Sequence, residues 1–75
     1  MVNEDKKKLI EAALKCQMTI GGYENESFML ALKVLEERYM DEPVYKFKSM
    51  IMDFAYGCVS RRVYDNLEDY LYGNF

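Results

Sequence analysis

The chain has 75 residues and a formal net charge of −3 at pH 7, with 51% hydrophobic, 15% aromatic and 31% charged residues. That is the size of one domain, residues 1–75, too apolar for an acidic disordered tail and too charged for a membrane span. There is no histidine, which removes Ser-His-Asp and Cys-His catalysis, the histidine general base and the commonest transition-metal ligand.

In chain order, Leu9, Ile10, Ala13, Leu14, Cys16 and Ile20 recur at helical spacing, with Lys8, Glu11 and Lys15 opposite them. This predicts a helix over about residues 4–20, capped by Asn3, with Glu4 and Asp5 at the positive end of its dipole and Gly21-Gly22 as its stop. The run Lys6-Lys7-Lys8 is expected on its exposed first turns. Thr19-Ile20-Gly21-Gly22-Tyr23 also has turn chemistry, so a short hairpin over residues 17–24 competes with the end of that helix.

Asn25 can cap a second helix over about residues 26–40, with Phe28, Ala31, Leu32, Leu35 and Tyr39 on its apolar stripe. Leu30 and Val34 lie off the stripe, and a helix buried on one face has no use for them there. The polar run Glu36, Glu37, Arg38, Asp41, Glu42 ends the pattern, and Pro43 disfavours helical geometry at Glu42. So short a link sets helices two and three side by side.

The third helix, about residues 43–58, carries Val44, Phe47, Ile51, Phe54, Ala55 and Cys58 as its main stripe. A second stripe, Tyr45, Met52 and Tyr56, leaves only Lys46, Ser49 and Asp53 as a polar strip, more apolar circumference than a small bundle needs. Gly57 ends or kinks this helix. Ser60 then caps a fourth, about residues 60–72, with Val63, Tyr64, Leu67, Tyr70 and Leu71 facing inward and Gly73 closing it. The expected fold is all-α, a compact bundle of four short helices.

Cys16 and Cys58 have no CxxC spacing and sit on apolar stripes, which favours two free core thiols over a zinc site or a disulfide. No cofactor or metal is expected. A charged-then-apolar leader is absent and no apolar run reaches the roughly 18 residues of a span, so the expected address is the cytoplasm and no membrane partner is expected.

Three features carry candidate function. The first is an excess of seven tyrosines with no tryptophan, joined by Met29, Met40, Met50 and Met52. Tyrosine gives a rigid apolar body with a polar tip, and methionine suits adaptable contact surfaces. A protein-binding face is therefore expected on Tyr45, Met52 and Tyr56, with Leu30 and Val34 contributing and Glu36, Glu37, Asp41 and Glu42 as an acidic rim. The second is the turn Gly57 to Leu67, whose outline of helix, turn, Ser cap and paired arginines is that of a helix-turn-helix DNA reader. Arg61, Arg62, Lys46 and Lys48 would supply its phosphate contacts, against the acidic net charge and Asp65, Glu68 and Asp69 on the reading helix. The third is the acidic clusters, which lack EF-hand spacing and read as solvated helical faces.

With no catalytic equipment and nearly all its apolar surface needed to close one core, the chain is expected to be a non-catalytic helical protein-interaction module. By analogy of size and composition it is a small regulator or inhibitor, such as phage or mobile elements encode, docking on a larger protein or on a second copy of itself. The alternative is a helix-turn-helix DNA-binding regulator using residues 57–67.

Overall fold

A computed structural model of the chain describes residues 4–21 and 26–74. Its helices are α1 (Glu4–Cys16), α2 (Glu26–Arg38), α3 (Val44–Cys58) and α4 (Arg61–Asn74), and a π-helical turn, Gln17–Gly21, prolongs α1. The fold is an all-α bundle. The first helix thus changes hydrogen-bond pattern where its spacing predicts a continuous α-helix, and residues 17–21 form no hairpin strand. Asn3, Asn25 and Gly22, the expected caps and stop, lie outside the described residues, as do Tyr23 and Phe75.

Buried Leu9, Ile10, Ala13 and Cys16 form the inner face of α1. Lys6, expected on the surface, is only 3% exposed, with its Nζ 5.8 Å from the centroid of the Phe47 ring. Three residues before Leu9 and four before Ile10, it continues the buried stripe back by one turn, and its methylene stem can cover an aromatic ring while the ammonium meets the π face. Lys7 and Lys8 are exposed as expected.

Phe28, Leu32 and Leu35 bury α2 against its neighbours. It ends in a turn in which the Glu42 amide donates to the Tyr39 carbonyl at 3.0 Å. Pro43 then takes extended geometry, φ −57° and ψ 150°, and its carbonyl accepts from the Phe47 amide at 2.9 Å. Proline suits this place because a helix start has no use for its missing N–H, so α3 begins at Val44.

At its other end α3 runs through Gly57 and stops where Val59 turns extended, φ −122° and ψ 163°. Ser60 accepts from the Val63 amide through Oγ at 3.4 Å and from the Tyr64 amide through its carbonyl at 2.9 Å, which is the geometry of an N-cap. The two-residue link folds α4 back along α3. Gly73 does not close α4, which continues to Asn74.

α1 packs against α4, α3 and part of α2, and α3 lies between α2 and α4, whose backbones do not approach each other closely. Phe28, Phe47, Leu9, Leu35, Ile51, Leu67 and Leu71 are fully enclosed, each stabilising the fold by about 1.5–3 kcal/mol relative to exposure. The buried Cys16 thiol lies 4.0 Å from the Val63 carbonyl, tying the end of α1 to the first turn of α4. Both cysteines are free. Burial pushes the Cys16 thiol above its ordinary value.

Two stripes are narrower than their periodicity suggests. Phe54 stands at the edge of α3's inner face, exposed beside Tyr39, Met50 and Asp53 in a shallow depression. Tyr70 is likewise exposed, since Val63, Leu67 and Leu71, at steps of four, suffice for the inner face of α4. No helix among the described residues is long and apolar enough to cross a membrane.

Candidate functional site

The antiparallel hairpin of α3 and α4 brings four tyrosines, Tyr45, Tyr56, Tyr64 and Tyr72, onto one side of the fold. On α3 the edge toward α4 carries Tyr45, Lys48, Met52 and Tyr56, at steps of three, four and four. On α4 the facing edge carries Tyr64, Glu68 and Tyr72, at steps of four. Near the α3–α4 turn the Tyr56 and Tyr64 rings meet edge to face, 5.4 Å between centroids at 82°. The Arg61 guanidinium lies 5.8 Å from the Tyr64 centroid. At the open end Lys48 Nζ sits 4.8 Å from the Tyr72 centroid.

Each cation meets the negative face of a ring, an attraction of about 0.5–1 kcal/mol at an exposed site. Burial pushes the Tyr72 phenol above its usual range, and Tyr64, Asp53 and Glu68 push in the same direction, so Tyr72 stays a neutral hydrogen-bond donor at neutral pH. Tyr45 and Tyr56 remain 74% and 68% exposed. Eleven residues apart on one helix, they mark a band about 16 Å long.

Met52, expected at the centre of the binding face, is only 4% exposed. It is a core residue: α4 packs over the second stripe of α3 midway along, and Met52 fills the space between the helices while Tyr45 and Tyr56, at the two ends, stay outside. Leu30 and Val34 do not join this band either. Leu30 lies two residues from both Phe28 and Leu32, on the far side of α2 from the core. It is exposed, and Val34 is half-buried. Of the acidic rim, Glu36, Glu37 and Asp41 are exposed, while Glu42 pairs with Lys46 at 3.2 Å.

The four cations of the DNA alternative are not gathered into one patch. Lys46 and Lys48 lie at the start of α3, and Arg61 and Arg62 at the start of α4, opposite ends of the hairpin and about 16 Å apart along it. Lys46 is paired with Glu42, Arg61 with Asp65 at 3.2 Å, and Lys48 rests on Tyr72. The Asn66 side chain donates to the Arg62 carbonyl at 2.8 Å. Among the described residues no group of three or more Cys, Asp or Glu side chains could hold a metal ion.

Sequence spacing places Tyr64 on the inward side of α4, where it is half-buried and packed against the core at the margin of the band, but gives Lys48 no part in a protein-binding face. The placement of Tyr64 and Tyr72 two turns apart is the available signal, but it becomes meaningful only once α4 is known to lie antiparallel to α3. No family model, curated protein or solved structure matches this chain.

Proposed function

We propose that this protein is a non-catalytic helical interaction module that docks on a larger protein through the α3–α4 tyrosine band and regulates or inhibits that protein by covering its surface. The observation that carries this is the exposure of Tyr45 and Tyr56 on a helix whose inner face is already closed by Phe47, Ile51, Met52 and Ala55. Their burial is not needed for the fold, and large rigid aromatics are the side chains that dominate protein interfaces. Lys48 and Arg61, stacked on the rings, supply charge-assisted donors at the two ends of the band. The helix-turn-helix alternative has less support, since its four cations are split between the two ends of the hairpin and the chain is acidic overall.

The test places a photo-crosslinking amino acid at Tyr45, at Tyr56 and, as a control, at exposed Lys7, and irradiates each in extract of the source cells. A discrete adduct from the two band positions, absent from the control and lost in Tyr45→Ala/Tyr56→Ala protein that keeps its helical circular dichroism, is the expected result. Identical adducts from all three positions, or none from the band, would overturn the proposal.

A further inference from the structure

The outer face of α2 is a second surface, separate from the tyrosine band. Glu26, Met29, Leu30 and Lys33 line an almost wholly apolar depression of about 340 Å³. All four are exposed, Leu30 to 63%. Their order along the helix is informative. The apolar pair Met29-Leu30 sits at the centre, an acid stands three residues before it and a base three residues after it. The pattern is therefore antisymmetric in charge about the midpoint of Met29 and Leu30.

We propose that a second copy of this chain docks on this face, α2 against α2, antiparallel about a two-fold axis through that midpoint. Two helices so related set Met29 opposite the partner's Leu30 and Glu26 opposite the partner's Lys33, and symmetry makes each contact twice. A parallel pairing sets Glu26 against the partner's Glu26 and Lys33 against the partner's Lys33, so charge selects the antiparallel form. Glu26 and Lys33 are about two turns apart, roughly 10 Å along the axis. Packed helices lie about 8–10 Å apart, within reach of these long side chains. The charge order that a foreign partner would have to match by chance is present in a second copy by construction. One helix face is small beside the roughly 800 Å² per partner of a standard interface, so the dimer is a weak one that forms at high concentration.

This inference does not depend on the tyrosine band, and its readout is the mass of the protein alone. Sedimentation equilibrium across a dilution series reaching millimolar protein should show the 8.9 kDa chain giving way to a species of twice that mass. Glu26→Lys alone and Lys33→Glu alone each turn two attractions into two repulsions and should weaken association about tenfold or more. An equimolar mixture of the two variants should recover it, because one chain then carries a base at both positions, the other an acid at both, and each base faces an acid. The double exchange Glu26→Lys/Lys33→Glu within one chain should associate like the wild type, and Leu30→Glu should be monomeric. A wild type that stays monomeric at the highest concentration overturns the proposal. So does self-association indifferent to the single charge reversals, or abolished by Tyr45→Ala instead.

Discussion

Met52 and Tyr45 share one stripe of α3 on paper, but the structure gives them opposite roles, and paired alanine substitutions separate the two. Met52 is 4% exposed, within a core cluster that includes Phe47, Ile51, Ala55, Leu67 and Leu71. Met52→Ala removes all of the side chain beyond Cβ from a close-packed site that can only partly collapse, at a cost of about 2–4 kcal/mol. At a typical 0.05–0.15 kcal/mol per residue the whole chain has about 4–11 kcal/mol to lose, so the variant should be marginal. With an unfolding entropy of about 2.1 cal/mol/K per residue, each kcal/mol shifts Tm by about 6 °C here, and the expected drop is about 12–25 °C. Tyr45, 74% exposed, should change Tm by no more than about 3 °C when replaced by alanine. Thermal and urea melts followed by circular dichroism in the helical band measure both, with Met52→Leu, which conserves volume, as a control losing less than about 1.5 kcal/mol. Equal shifts for the two alanine variants, or a larger one for Tyr45→Ala, would refute the assignment of Met52 to the core and Tyr45 to the surface.

Two further outcomes are expected. Ser60→Ala leaves the first turn of α4 uncapped and should cost about 1 kcal/mol, whereas Ser60→Asp, which also accepts from the Val63 amide, should hold stability near the wild type; urea midpoints check this. Burial raises the Cys16 thiol above 9.0 and the Tyr72 phenol above 10.0, so the unfolded chain loses these protons first. The contribution of these two groups to stability should therefore be fully present below about pH 9 and be lost as pH rises past about 9 and 10, and in a pH series of urea melts Cys16→Ala should flatten the fall that begins near 9.

Much of the fold was legible because its punctuation is local. Pro43 and the polar run before it mark the α2–α3 boundary whatever surrounds them, and Ser60 caps α4 through atoms of its own first turn. The inward residues Leu9, Phe28, Leu35, Phe47, Ile51 and Leu67 follow from periodicity, since each lies at the middle of its stripe. Stripe edges were less legible. Phe54 and Tyr70 stay exposed, while Lys6 is buried because the aromatic face of Phe47 lies under it. Gly57 and Gly73 each lie one residue inside the end of their helix rather than beyond it, because a helix tolerates glycine at a modest cost. The candidate face was legible through Tyr45 and Tyr56, but its partners on α4 were not, since ring stacking joins residues whose helices must first be folded together.

By itself the sequence determined an all-α bundle of four short helices, their order and most of their inward residues, because these depend on spacing within one helix and on the geometry of single turns. Only the tertiary structure decided that Met52 is core, that Tyr56, Tyr64, Lys48 and Tyr72 form one band, and that Leu30 belongs to a different surface. Helical periodicity sets the angle at which a side chain leaves its own axis. Whether that direction meets solvent, a ring or another helix depends on how the axes are placed relative to one another, and contacts far apart in the chain settle that.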